Sequence, residues 1–217
     1  MPGIVDIIVL GASPDRAKVQ CIFVHGRNQS PEEMEAAVIR RLSTPDIAFH
    51  LPRADDKCWY RALAVDPRSN ATQAELAQSL SDLAELLQSV RAVGQPVLLG
   101  GFSQGACLSL EHAFTGQDSC DALVAFTGCR VGVQGDERPT SLTEDLPVYL
   151  TAGRADPWIP LHAFADAAAE LGRGGARLRT DVFPGRGHEV GAAEIAMLDS
   201  MLADLAAGHS PKMGAAR

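Results

Sequence analysis

The chain has 217 residues, 46% of them hydrophobic and 21% charged, which is ordinary for a soluble globular protein and suits one compact domain better than two. Twenty-seven acidic residues against 19 basic ones leave a formal charge of −8. No lysine/arginine stripe offsets that charge, which argues against nucleic acid as a partner.

Short apolar runs alternate with longer helical patterns. Ile4–Leu10 reads as a strand and Val19–Val24 as a second, ending at His25-Gly26. Ser30-Pro31-Glu32-Glu33 is a capping box with proline at the first helical position, and the helix it opens puts Met34, Val38, Ile39 and Leu42 on its apolar face. Ile47–Leu51 is a third strand, and Asp55 to Ser69 an irregular loop holding Trp59 and Tyr60. Thr72-x-x-Glu75 predicts a second helix with Leu76, Leu80, Leu83, Leu87 and Val90 in one stripe, stopped by Gly94. Pro96–Leu99 is a buried strand running into Gly100-Gly101. A helix over Gln104–Phe114, strands at Ala122–Phe126 and Pro147–Thr151, a helix over Pro160–Leu171, a strand at Ala176–Val182 and a helix over Ala192–Ala206 complete the pattern. Strands without clean polar alternation, separated by helices, predict a mostly parallel twisted sheet flanked by helices on both faces. The expected organisation is a single domain over 1–207, with a loose polar tail over 208–217.

The five cysteines are irregularly spaced, and no pair reads C-x-x-C. They are expected to be reduced thiols, with neither a disulfide framework nor a zinc site. The first ten residues lack a basic leader and carry Asp6 within their apolar run, and no apolar stretch approaches the roughly 18–20 residues of a membrane span. A cytoplasmic protein is the expectation.

The most informative stretch is Gly100-Gly101-Phe102-Ser103-Gln104-Gly105-Ala106. A G-x-S-x-G between a buried strand and a helix is the nucleophile elbow of α/β-hydrolases. A serine in so tight a turn needs small neighbours, and the helix start offers free N–H groups to a developing oxyanion. Ser103 is therefore the candidate nucleophile. Such triads run serine, acid, histidine along the chain. Of the six histidines, His209 lies in the tail and His162 in a helix start; His188 sits in the glycine-rich loop Pro184-Gly185-Arg186-Gly187-His188, after a strand. It is the candidate base. Asp156 follows the Pro147–Thr151 strand and would orient it; an aspartate before proline also reads, taken alone, as an Asx-turn residue.

The oxyanion donors are expected to be the N–H of Gln104, next to the nucleophile, and the N–H of Arg27 in the loop after the second strand. The Arg27 side chain reads either as solvent-facing or as a contact for an anionic substrate group. His25 reads as a structural turn residue. There is no H-E-x-x-H and no Cys/His cluster, so no metal is expected.

His25-Gly26, Trp59 after a polar loop, Gly101 to Ala106 (GFSQGA), Gly128, Gly153 to Pro160 (GRADPWIP) and Gly187-His188 occur in order over most of the chain. Together they resemble the phospholipase/carboxylesterase group of α/β-hydrolases, which includes acyl-protein thioesterases and small bacterial carboxylesterases. The resemblance implies a minimal hydrolase with little or no lid domain, no cofactor, and often a homodimer. It carries the triad onto Ser103, Asp156 and His188 and the oxyanion donors onto Arg27 and Gln104. The chain departs from the family at Asn28 and Gln29, where glycine and aspartate usually follow His-Gly-x, and at Trp158, where relatives often carry a smaller aliphatic residue facing the acyl pocket. Trp59 and Trp158 are expected to narrow that pocket for short to medium acyl chains; packing is the alternative for both.

The resulting expectation is a serine carboxylesterase acting on a small-molecule ester through an acyl-enzyme. The alternatives are an acyl-thioesterase or lysophospholipase on the same triad, and a non-catalytic ligand-binding homologue.

Overall fold

The computed structural model describes residues 3–117 and 120–214. Seven strands form one sheet: β1 (Ile4–Gly11), β2 (Val19–Val24), β3 (Ile47–Ala54), β4 (Val97–Phe102), β5 (Ala122–Phe126), β6 (Pro147–Gly153) and β7 (Arg177–Phe183), ordered β1-β3-β2-β4-β5-β6-β7. Only β1 runs antiparallel, on β3. The helices are α1 (Pro31–Ala37), α2 (Asn70–Arg91), α3 (Gln104–Ala113), α4 (Leu161–Arg173) and α5 (Ala192–Ala206). The architecture is the α/β-hydrolase fold.

β2, β4, β5 and β6 are buried at every position, because both faces of the sheet are covered. Successive residues of β2 feed opposite cores: Ile22 and Val24 belong to the one that also takes Leu83, Leu110 and Phe164 from α2, α3 and α4, while Cys21 and Phe23 belong to the one that takes Met34 and Leu198 from α1 and α5. Among the described residues no helix is long and apolar enough to cross a membrane.

The chain leaves β2 towards β3 on one side and returns to β4 on the other, so the loops after β2 and β4 part at a topological switch point. Open α/β sheets bind ligands in such crevices.

Three boundaries differ from the sequence expectation for identifiable reasons. The first helix ends at Ala37; Val38 leaves helical geometry and a 3₁₀ turn over Ile39–Arg41 follows, although Met34, Val38 and Ile39 are buried as expected. β3 runs on through Pro52 because its pairing to β2 stops at His50, so the proline lies where β3 is bonded on its β1 side alone. α2 starts at Asn70 because Ser69 takes the cap, its Oγ accepting from Thr72 N at 3.1 Å. Glu75 instead holds the loop before the helix, accepting from Arg61 N at 2.8 Å. Residues 208–214, read from sequence as a loose tail, lie back on the body: Met213 is buried, its carbonyl accepts from Arg179 at 3.1 Å, and Lys212 N donates to Asp204 at 2.9 Å.

α3 is buried along its whole length, including Glu111. Glu111 is matched by Arg130 at 2.8 Å and Arg68 at 2.6 Å, both almost fully buried, and accepts from Val131 N at 2.8 Å. Arg130 continues to Glu170 at 2.7 Å, joined there by Arg138 at 2.6 Å. The cluster ties the segment after β5 to α3 and α4. Removing one member of a buried ion cluster strands the others without solvent. Glu111→Ala is expected to destabilise the protein by about 3–5 kcal/mol, read by urea unfolding. A midpoint matching wild type would mean that water reaches Arg68 and Arg130 easily.

Candidate active site

Ser103 sits between β4 and α3 at φ 54°, ψ −120°, a strained backbone for a residue with a Cβ. The glycines on either side make the turn possible. A Cβ on Gly101 would stand 2.5 Å from the Gly105 carbonyl carbon, and one on Gly105 would stand 2.2 Å from the Val24 oxygen. Ser103 N donates to Phe126 O at 2.9 Å, which fixes the turn against β5.

His188 Nε2 lies 2.8 Å from Ser103 Oγ, and His188 Nδ1 lies 2.7 Å from Asp156 Oδ2. Phe102 packs on the imidazole, with ring centres 4.9 Å apart. The other carboxylate oxygen, Asp156 Oδ1, accepts from Trp158 N at 2.8 Å and Ile159 N at 3.0 Å. Burial alone would raise the Asp156 carboxyl. The His188 hydrogen bond and the two amides outweigh that, and hold it below the usual carboxylate range. The three residues expected from sequence are therefore brought together in hydrogen-bonding order. A carboxylate holds a proton on Nδ1, which leaves Nε2 free to accept one from a hydroxyl.

The loops carrying Asp156 and His188 are laced to each other. Ala155 N donates to Arg186 O at 2.9 Å and Arg154 N to Phe183 O at 3.0 Å. Gly153 must be glycine, since a Cβ there would stand 2.4 Å from Gly187 O. Arg186 reaches the fully buried Glu194 at the start of α5; Glu194 also accepts from Gly191 N at 2.7 Å and from the Thr151 hydroxyl. Sequence reasoning missed this clamp: Glu194 reads locally as an ordinary first-turn acid, and its partner at Arg186 is in another element.

A cleft of about 280 Å³ opens over Ser103 and His188, lined also by Arg27, Asn28, Tyr60, Leu63, Ala64, Gln104, Trp158 and Ile159. A larger hollow of about 640 Å³ over α2 and the end of α3 contains none of the triad. Trp158 stands at the cleft with 59% of its surface exposed, and half-exposed Leu63 lines the same cleft.

Trp59 departs from expectation. It is fully buried, its indole N–H donates to His25 O at 2.8 Å, and its ring lies 4.9 Å from the His25 ring. It does not line the cleft; its neighbour Tyr60 does. Two adjacent aromatics in a loop give no local signal for which one turns inward, and the buried carbonyl that takes the indole N–H belongs to a distant strand end. His25 is structural: its Nε2 accepts from Ala54 N at 3.0 Å, so Nδ1 carries the proton and donates to Gly26 O at 2.7 Å, and burial lowers its pKa. Arg27 lines the cleft, and its guanidinium is tied down beside it. It donates to the carbonyls of Tyr60, Arg61 and Ala62. Asn28 takes a left-handed backbone, φ 60°, a region that glycine enters freely and that asparagine tolerates better than most other residues.

The sequence pattern of the phospholipase/carboxylesterase family matches residues 7–205. The acyl-protein thioesterase 1 of Neurospora crassa is 23% identical over 209 residues, covering 84% of this chain and 85% of its own. The phospholipase/carboxylesterase from Dyadobacter fermentans superposes with a TM-score of 0.78 at 26% identity, over 90% of this chain and 95% of its own. Esterase PE8 gives a TM-score of 0.77 at 23% identity, over 94% and 99%.

Proposed function

We propose a specific reaction for this chain, which belongs to the phospholipase/carboxylesterase family and is a serine hydrolase of carboxylic esters: cleavage of short to medium acyl esters, with Ser103, His188 and Asp156 as the triad. The observation that carries it is the Ser103–His188–Asp156 hydrogen-bond chain, 2.8 Å and 2.7 Å, at the floor of an open cleft.

Ser103 Oγ attacks the acyl carbon while His188 Nε2 takes its proton. The tetrahedral oxyanion is held by the N–H groups of Arg27 and Gln104. The latter is the first residue of α3 and has no intrahelical acceptor. His188 then protonates the leaving alcohol, which departs and leaves an acyl-serine. Water gives its proton to His188 and attacks the same carbon; the acid leaves and Ser103 recovers its proton.

The cleft supports the chain-length preference. At about 280 Å³ it lies at the small end of ligand sites, which run roughly 300–1,000 Å³. Hydrolysis of p-nitrophenyl esters from acetate to palmitate is expected to peak at short chains. Trp158→Ala is expected to move the optimum to longer chains, raising kcat/KM there about 10-fold. An unchanged optimum would remove Trp158 from the acyl pocket.

A second reading, an acyl-thioesterase or lysophospholipase on the same triad, is favoured by the apolar rim that exposed Leu63 and Trp158 give the cleft. A long chain could lie along such a rim. A wild-type optimum at palmitate, or faster turnover of the matching thioester, would select it.

A further inference from the structure

The two amides assigned to the oxyanion belong to residues whose side chains meet on one short segment. The Arg27 guanidinium donates to Arg61 O at 2.7 Å, to Tyr60 O at 3.0 Å and to Ala62 O. The Gln104 amide, almost fully buried, accepts from Trp59 N at 3.0 Å and donates to Tyr60 O at 2.6 Å. Tyr60 O is therefore common to both. We propose that the Arg27 and Gln104 side chains are positioning groups that dock the two oxyanion-donating peptides onto one template, Trp59–Ala62. The inference rests on the reading of Ser103 as nucleophile and of these two N–H groups as donors.

The template is built to be rigid. Trp59 is anchored through its indole to His25 O, and Trp59 O accepts from Ser79 Oγ at 2.6 Å. Arg61 N donates to Glu75 at 2.8 Å. The peptide it steers is less secured. The loop Gly26–Gln29 closes on itself through Gln29, Gly26 O accepts from His25 Nδ1 at 2.7 Å, and Asn28 N donates to Lys57 O at 2.8 Å, two residues before the template. Asn28 sits in a left-handed conformation that glycine would adopt more easily. A planar guanidinium across successive carbonyls supplies the restraint such a loop needs, because its donors are fixed relative to one another. Donors serve an oxyanion only within about 2.7–3.1 Å of it, and a 1 Å error can cost about 10²-fold.

The test is Arg27→Met, which keeps the stem and removes the fork, assayed beside wild type, Arg27→Lys and Ser103→Ala on p-nitrophenyl butyrate. The expected result for Arg27→Met is a fall in kcat of about 10- to 100-fold with KM within about twofold. Affinity for a trifluoromethyl ketone, which adds Ser103 and becomes an oxyanion, should fall by the same factor. Affinity for the matching secondary alcohol, which forms no oxyanion, should hold. Arg27→Lys, reaching fewer carbonyls, should fall between, and it carries the test should Arg27→Met not fold. Wild-type kcat and ketone affinity in the variants would overturn the proposal. So would a rise in KM at unchanged kcat, or a fall in kcat without loss of ketone affinity. An inactive wild type, or activity surviving in Ser103→Ala, would instead overturn the underlying assignment of the nucleophile, and the inference with it.

Discussion

Ser103→Ala is expected to lower kcat by about 10⁵- to 10⁶-fold, leaving KM for a p-nitrophenyl ester within a few-fold of wild type. The size follows from how triads work. Removing the nucleophile also makes the base and its carboxylate useless, so most of the acceleration disappears at once. What survives is binding and the oxyanion donors, roughly 10³–10⁴-fold over water. The same reasoning predicts non-additivity: His188→Ala should lose nearly as much, and the double variant little more. The substitution should be structurally quiet. Ser103 N, which keys the turn to Phe126 O at 2.9 Å, is retained, and the left-handed backbone strain is borne equally by alanine. A fold intact by circular dichroism with activity reduced less than 10²-fold would mean that another group attacks the ester.

What was legible in the sequence was mostly what is encoded locally. β2, β5 and α5 fall where their apolar runs begin and end, because breakers bound each run and both sheet faces are covered. The elbow is equally local: two glycines, one serine and the flanking strand and helix suffice. The positions of Asp156 and His188 followed from a rule of chain order applied to loops after strands. Destinations of long side chains were not legible. Arg27 could be read as solvent-facing or substrate-facing because its acceptors stand more than 30 residues away, in a loop without periodicity. Glu75 reads, in sequence, as half of a capping box with Thr72. Ser69, three residues earlier, is an equally good cap, and Glu75 gained more by holding Arg61. The buried Glu111 cluster had no local signature, since its five members come from four separate stretches of chain.

Asp156→Asn is expected to cost about 10⁴-fold in kcat at pH 7, although it changes one atom and almost no volume. Asp156 Oδ1 accepts from the amides of Trp158 and Ile159, and Oδ2 faces His188 Nδ1 at 2.7 Å. An asparagine must keep its oxygen towards those two N–H donors, because turning its NH₂ group onto them would set donor against donor. Its NH₂ then points at His188 Nδ1, which must give up its proton and accept. The imidazole proton moves to Nε2, the nitrogen 2.8 Å from Ser103 Oγ, and the base can no longer receive the serine proton. The two backbone amides are therefore what makes the substitution so damaging, by denying the asparagine its harmless flip. They also set its effect on stability. Hydrogen bonds hold the folded carboxyl below its usual range despite burial. Asp156 thus stabilises the fold at pH values above its unfolded pKa, near about 3.9, and that contribution fades as pH falls through the lower folded value. The gap in unfolding free energy between wild type and Asp156→Asn should be widest near neutrality and close below about pH 4. A variant with kcat within about tenfold of wild type would show that His188 keeps its proton on Nδ1 without Asp156. The orienting role would then pass to another acceptor.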